Sequence, residues 1–137
     1  MKTFVMMAAL GLATFANPAL AQDAAAGEKA FSKCKACHAI VAPDGTDIVK
    51  GGKTGPNLYG VVGRAVASVA DYKYGDSILA VGGAGAVWDE ASLIAYMADP
   101  AAWLKEKTGD GAAKSKMSFK LAAGGADVVA YLASVAQ

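Results

Sequence analysis

The chain has 137 residues, 55% of them hydrophobic and 18% charged, with a formal net charge of +1. That length suits one domain, and without a sustained basic surplus nucleic-acid binding is excluded. One histidine among 137 residues leaves a zinc site no imidazole partner to recruit.

Met1-Lys2 supplies a short positive end, Phe4 to Ala16 is an apolar run, and Ala19-Leu20-Ala21 matches an A-x-A cleavage site. The run falls short of the roughly 20 apolar residues that span a bilayer. Residues 1–21 are therefore expected to be a signal peptide removed on export, leaving 22–137 as one soluble domain with no membrane anchor. Removal of Lys2 leaves 12 basic and 12 acidic side chains, but they are segregated. Residues 29–64 carry six basic and two acidic groups, residues 101–120 carry five and two, and residues 65–100 carry one and five. Such asymmetry bears on how a protein meets a charged partner.

Asp23 is a plausible N-cap for a helix through Ala24, Gly27 and Phe31. Gly27 within it costs about 1 kcal/mol against alanine, so a close neighbour is expected there. The helix leads to Cys34-Lys35-Ala36-Cys37-His38, a C-x-x-C-H motif that reads as a c-type haem attachment site. Helical spacing puts both thiols and the imidazole on one face, where two thioethers and an iron ligand can meet one porphyrin. A disulfide or a thioredoxin-like redox pair would use the same cysteines, but the latter comes with a βαβ pattern that is missing here. A haem held by two histidines is excluded, because His38 is the only histidine.

From Ile40 to Tyr59, glycine, proline and aspartate predict loop. Lys50-Gly51-Gly52-Lys53-Thr54 superficially matches a phosphate loop, but Asp47 stands where its first glycine belongs and no strand precedes it. Asp76 can cap a short helix ending near Gly82-Gly83. Asp89 caps a better one, with Leu93, Tyr96 and Met97 at helical spacing and Pro100 as its stop. Asp99-Pro100 then serves as N-cap and first residue of a helix through Trp103 and Leu104 toward Gly109. Residues 109–120 are loop, and Val128, Tyr131, Leu132 and Val135 form the apolar stripe of a terminal helix. The expectation is an all-α fold without convincing strands, its short helices and long loops wrapped around one covalent haem. The haem supplies the large apolar body that such helices lack, so the apoprotein should be poorly folded.

With His38 on one side of the iron, the other needs Met, Lys, Tyr, water or nothing. Two methionines remain beyond the leader, Met97 and Met117. Met97 sits in an amphipathic helix, where core filling is its ordinary use. Met117 lies in the polar run Lys114-Ser115-Lys116-Met117-Ser118-Phe119-Lys120 and is the expected ligand. A His/Met pair raises the potential and fills both axial positions, which favours an electron carrier over an enzyme. A haem peroxidase or gas-binding cytochrome would need an open sixth position, and a thiol-disulfide oxidoreductase would need free cysteines.

The sequence resembles class I cytochrome c across essentially the whole of residues 22–137. The resemblance rests on Gly27-Glu28-Lys29-Ala30-Phe31, the haem motif, Lys53-Thr54-Gly55-Pro56-Asn57-Leu58-Tyr59-Gly60, Gly63-Arg64, Trp88, Tyr96, Lys116-Met117 and Ala130-Tyr131-Leu132. It implies that Pro56 offers its carbonyl to the His38 ring and that Tyr96 bonds the Met117 sulfur. It further implies that Tyr74 and Trp88 donate to a haem propionate, with Arg64 and Ser115 nearby, and that Gly27 and Phe31 meet Tyr131 where the first and last helices cross. Extra residues around Pro43-Asp44-Gly45-Thr46-Asp47 and in Thr108–Lys114 resemble the long form of cytochrome c2 from purple photosynthetic bacteria and their relatives. That family carries electrons in the periplasm from the cytochrome bc1 complex to the photosynthetic reaction centre or a terminal oxidase. A respiratory carrier of the same fold, donating to an oxidase or a nitrogen-oxide reductase, is the alternative. The molecule is expected to act as a monomer and to dock transiently through Lys33, Lys35, Lys53, Lys114, Lys116 and Lys120 around an exposed haem edge.

Overall fold

A computed structural model describes residues 22–137, and the proposed leader lies outside them. The chain forms α1 (Ala24–Phe31), β1 (Ile40–Val41), β2 (Asp47–Val49), α2 (Asp76–Gly83), α3 (Glu90–Ala98), α4 (Pro100–Thr108) and α5 (Gly125–Ser134). Helices dominate, as their caps predict. The Asp23 carboxylate accepts from Ala25 N and Ala26 N, Asp89 from Ser92 N, and Asp99 from Ala102 N, each satisfying a donor that the first helical turn leaves open. Pro100 opens α4 and Gly109, at φ 68°, closes it.

Helices α1 and α5 pack directly on each other. The Phe31 and Tyr131 rings meet with centroids 5.6 Å apart. A Cβ at Gly27 would overlap the Asp127 carbonyl and come within 2.9 Å of Tyr131 Cβ, so only glycine admits this approach. Val128, Tyr131 and Leu132 are buried, and Val135, just past the end of α5, is partly so. Burying each large apolar side chain in such a seam contributes about 1.5–3 kcal/mol. Helix α3 rests on α4 and α5, and α2 rests on α4. Between α3 and α4, Trp88 stacks on Trp103 at 5.0 Å, with the Tyr96 ring edge-on to both.

Three expectations need correction. Helix α1 ends at Phe31, so the cysteine motif sits in consecutive turns beyond it. One helical bond survives there, from His38 N to Cys34 O at 2.9 Å, and it keeps His38 over Cys34. Residues 40–49 are no plain loop but a small antiparallel hairpin pairing Ile40 with Val49 and Val41 with Asp47. Its turn is built by Gly45 at φ 85° and by Asp44, whose carboxylate accepts from Thr46 N at 2.9 Å. Finally, Asp76 does not cap α2; Gly75 occupies that position without a side-chain bond, and Asp76 lies in the first turn.

Candidate functional site

Between the helices and loops lies a cleft of about 360 Å³. Cys34, Cys37, His38, Pro56, Arg64, Tyr74, Trp88, Tyr96, Ser115 and Met117 all line it, so the ten residues singled out in the sequence converge on one place. Met97 lines it as well, packed against the core from α3, with its carbonyl accepting from Leu121 N at 2.8 Å.

The turn that carries the motif rests on a bed of close backbone contacts. Gly52 N donates to Lys35 O at 2.8 Å, and a Cβ at Gly52 would overlap the Ala36 carbonyl. The glycines of the apparent phosphate loop therefore let the 51–52 segment lie against the attachment motif. His38 Nδ1 bonds the Pro56 carbonyl at 2.8 Å, as the resemblance implies. With Nδ1–H donating there, the other ring nitrogen is left as the metal-binding one. Burial holds the His38 pKa below its ordinary value, against the opposing pull of the Pro56 bond, which favours the neutral ring that a ligand needs.

Cys34 and Cys37 are both free thiols. The Cys34 pKa is raised, mainly by burial and further by Cys37, while Lys33 pulls the other way. A redox-active thiol of the thioredoxin kind has a depressed pKa, so the environment disfavours that rival.

Arg64 gives the plainest sign of the charge this cleft is built to meet. Its Nη1 donates to Asn57 O at 3.2 Å and Tyr59 O at 3.0 Å, while the buried Nε has no partner among the described residues. Burial lowers its pKa, yet a guanidinium remains charged at any ordinary pH. A half-buried cation whose Nε is buried and unpaired, in a largely apolar cleft, suits a flat apolar group bearing a carboxylate. Tyr74 Oη accepts from Val69 N at 3.1 Å, leaving its proton to donate. Two thiols, a neutral imidazole, a thioether and an orphaned guanidinium thus fit a covalently held haem.

Tyr96 differs in detail. Its hydroxyl lies 3.5 Å from Ser115 Oγ, which accepts from Met117 N at 3.1 Å, so Ser115 stands between the phenol and the Met117 backbone. Burial raises the Tyr96 pKa, against the Ser115 bond. Of the six lysines, Lys33, Lys114 and Lys116 border the cleft. Lys120 pairs with Asp99 at 2.7 Å, and Lys116 Nζ donates to Lys73 O at 2.8 Å. Tyr72, Thr54 and Phe119 also line the cleft and were not singled out as site residues.

No protein-family model matches the chain. Among curated proteins it is 64% identical over 134 residues to cytochrome c-550 of Paracoccus versutus, covering 95% of this chain and 85% of that one. It is 57% identical over 135 residues to cytochrome c2 of Rhodobacter capsulatus, covering 98% of each. Among solved structures, Rhodobacter capsulatus cytochrome c2 superposes with a TM-score of 0.82 at 61% identity, covering 84% of this chain and 99% of that one. Ferric cytochrome c-550 from Paracoccus versutus gives 0.82 at 66% identity over 84% and 98% of the two chains.

Proposed function

This chain belongs to the class I cytochrome c family, in its cytochrome c2 and c-550 branch, and we propose that it shuttles single electrons from the cytochrome bc1 complex to a photosynthetic reaction centre. It is an electron carrier and not an enzyme, and its cofactor is haem c. Bound haem supplies one reversible electron; the protein's residues hold it, exclude water and tune it. In our reading Cys34 and Cys37 would form the thioethers to the haem, His38 and Met117 would ligate its iron, and Pro56 orients His38. Arg64, Tyr74 and Trp88 serve a propionate, and Tyr96 with Ser115 supports the Met117 segment. The convergence of all these side chains on one cleft carries the proposal.

Lys33, Lys114 and Lys116 border the cleft, and Lys35, Lys53 and Lys120 lie in the same basic segments of the sequence. They form a positive docking surface for an acidic partner, engaged by a monomer. The apolar leader and its Ala19-Leu20-Ala21 site support export to the periplasm as a single domain of residues 22–137. No helix among the described residues is long and apolar enough to cross a membrane.

Electrostatic steering raises association rates by about 10–10³ and fades as salt shortens the screening length to about 8 Å. Second-order electron transfer from the reduced protein to purified reaction centres should therefore slow steeply with ionic strength. Lys33→Glu or Lys114→Glu should slow it further without moving the potential. Rates insensitive to salt would refute the docking surface. Efficient transfer to a terminal oxidase but not to reaction centres would assign the respiratory role instead.

A further inference from the structure

The Tyr72 hydroxyl donates to the Thr54 carbonyl at 2.8 Å. That carbonyl and the Gly55 N–H are the two ends of one planar peptide unit. The Gly55 N–H donates to Cys37 O at 2.7 Å, so the unit is clamped between Tyr72 and the attachment motif. The next residue, Pro56, bonds the His38 ring, and Gly55 lies so near that ring that a Cβ would overlap it. Beyond Pro56 the chain is fixed again, by the Asn57 side chain on Val41 N and O at 3.0 and 2.8 Å. The loop carrying Tyr72 is itself anchored to the Met117 segment, because Lys73 O accepts from Lys116 Nζ at 2.8 Å.

We propose that Tyr72 is a positioning residue for the axial imidazole, pinning the Thr54–Gly55 peptide and so setting how firmly Pro56 holds the His38 ring N–H. This rests on His38 being the iron ligand. A firmly held Nδ1–H makes the imidazole a better donor and favours ferric iron, so loosening it should raise the potential.

The test compares holoprotein of the wild type, Tyr72→Phe and Val135→Ala, the last a packing change at the end of α5 away from the cleft. The readouts are NMR exchange of the His38 ring N–H and the Gly55 amide, and the midpoint potential. In Tyr72→Phe both protons should exchange about threefold to tenfold faster, the factor an ordinary hydrogen bond carries. The potential should rise, and Val135→Ala should change neither. Unchanged exchange in Tyr72→Phe, or a rise matched by Val135→Ala, overturns the proposal. Faster exchange without a shift in potential would leave the tie standing and overturn Tyr72 as a positioning residue, whereas His38 ring protons without hyperfine shifts in ferric wild type would overturn His38 as the ligand. Should Tyr72→Phe yield too little holoprotein, the wild-type Tyr72 hydroxyl proton decides: slow exchange upholds the tie and free exchange overturns it.

Discussion

Lys120 Nζ stands 2.7 Å from Asp99 Oδ2, while Oδ1 of the same carboxylate caps α4 at Ala102 N, 3.0 Å away. One side chain thus joins the loop after Met117 to the start of a helix. The Lys120 bond first, and the Ala102 bond second, hold the Asp99 pKa below its ordinary value. A depressed folded-state pKa contributes stability that is present above the unfolded value, about 3.9, and is lost as pH falls through the folded one. Asp99→Asn keeps a good cap but loses the ion pair. Its thermal midpoint should fall less steeply than the wild type's below about pH 4. Identical slopes would show that Asp99 contributes nothing to acid unfolding.

Covalent attachment predicts that the pigment stays with the polypeptide in acidified organic solvent. Cys34→Ala or Cys37→Ala should lower the yield of holoprotein. Extraction of the pigment from the wild type would rule out thioethers.

Met117→Ala should admit water or added imidazole to the iron, lower the potential and abolish the sulfur-to-iron band in the near infrared. Met97→Leu should leave all three nearly unchanged. Since both methionines line the cleft, the reverse pattern would make Met97 the ligand.

At the α1–α5 crossing, the obstacle to a side chain at Gly27 is the Asp127 carbonyl, part of the backbone, which gives less readily than a side-chain tip. Overpacking costs typically about 1–3 kcal/mol, and Gly27→Val should lie at the upper end. Denaturant titration of the holoprotein measures this. An unchanged midpoint would mean the helices do not meet there.

Much of this was legible in the sequence because single residues carry strong local signals. Asp23, Asp89 and Asp99 announce helix starts, Gly109 a helix end, and the cysteine spacing a cofactor. The β1–β2 hairpin was not legible: strands of two and three residues are too short to show alternation, and Ile40 and Val49 alone mark the buried side. Asp76 misled because an acidic residue suits a first turn as well as a cap position. The roles of Gly51, Gly52 and Tyr72 depend on what the tertiary fold brings against them, and no local pattern encodes that.

The aromatic stack has an optical consequence. Trp88 lines the cleft and lies against Trp103, and these are the only two tryptophans in the chain. A porphyrin seated beside Trp88 drains the excited state of both indoles, so holoprotein should be nearly dark in the ultraviolet-excited emission that unloaded chains display. Intrinsic fluorescence then counts the empty molecules in any preparation, without label or reagent.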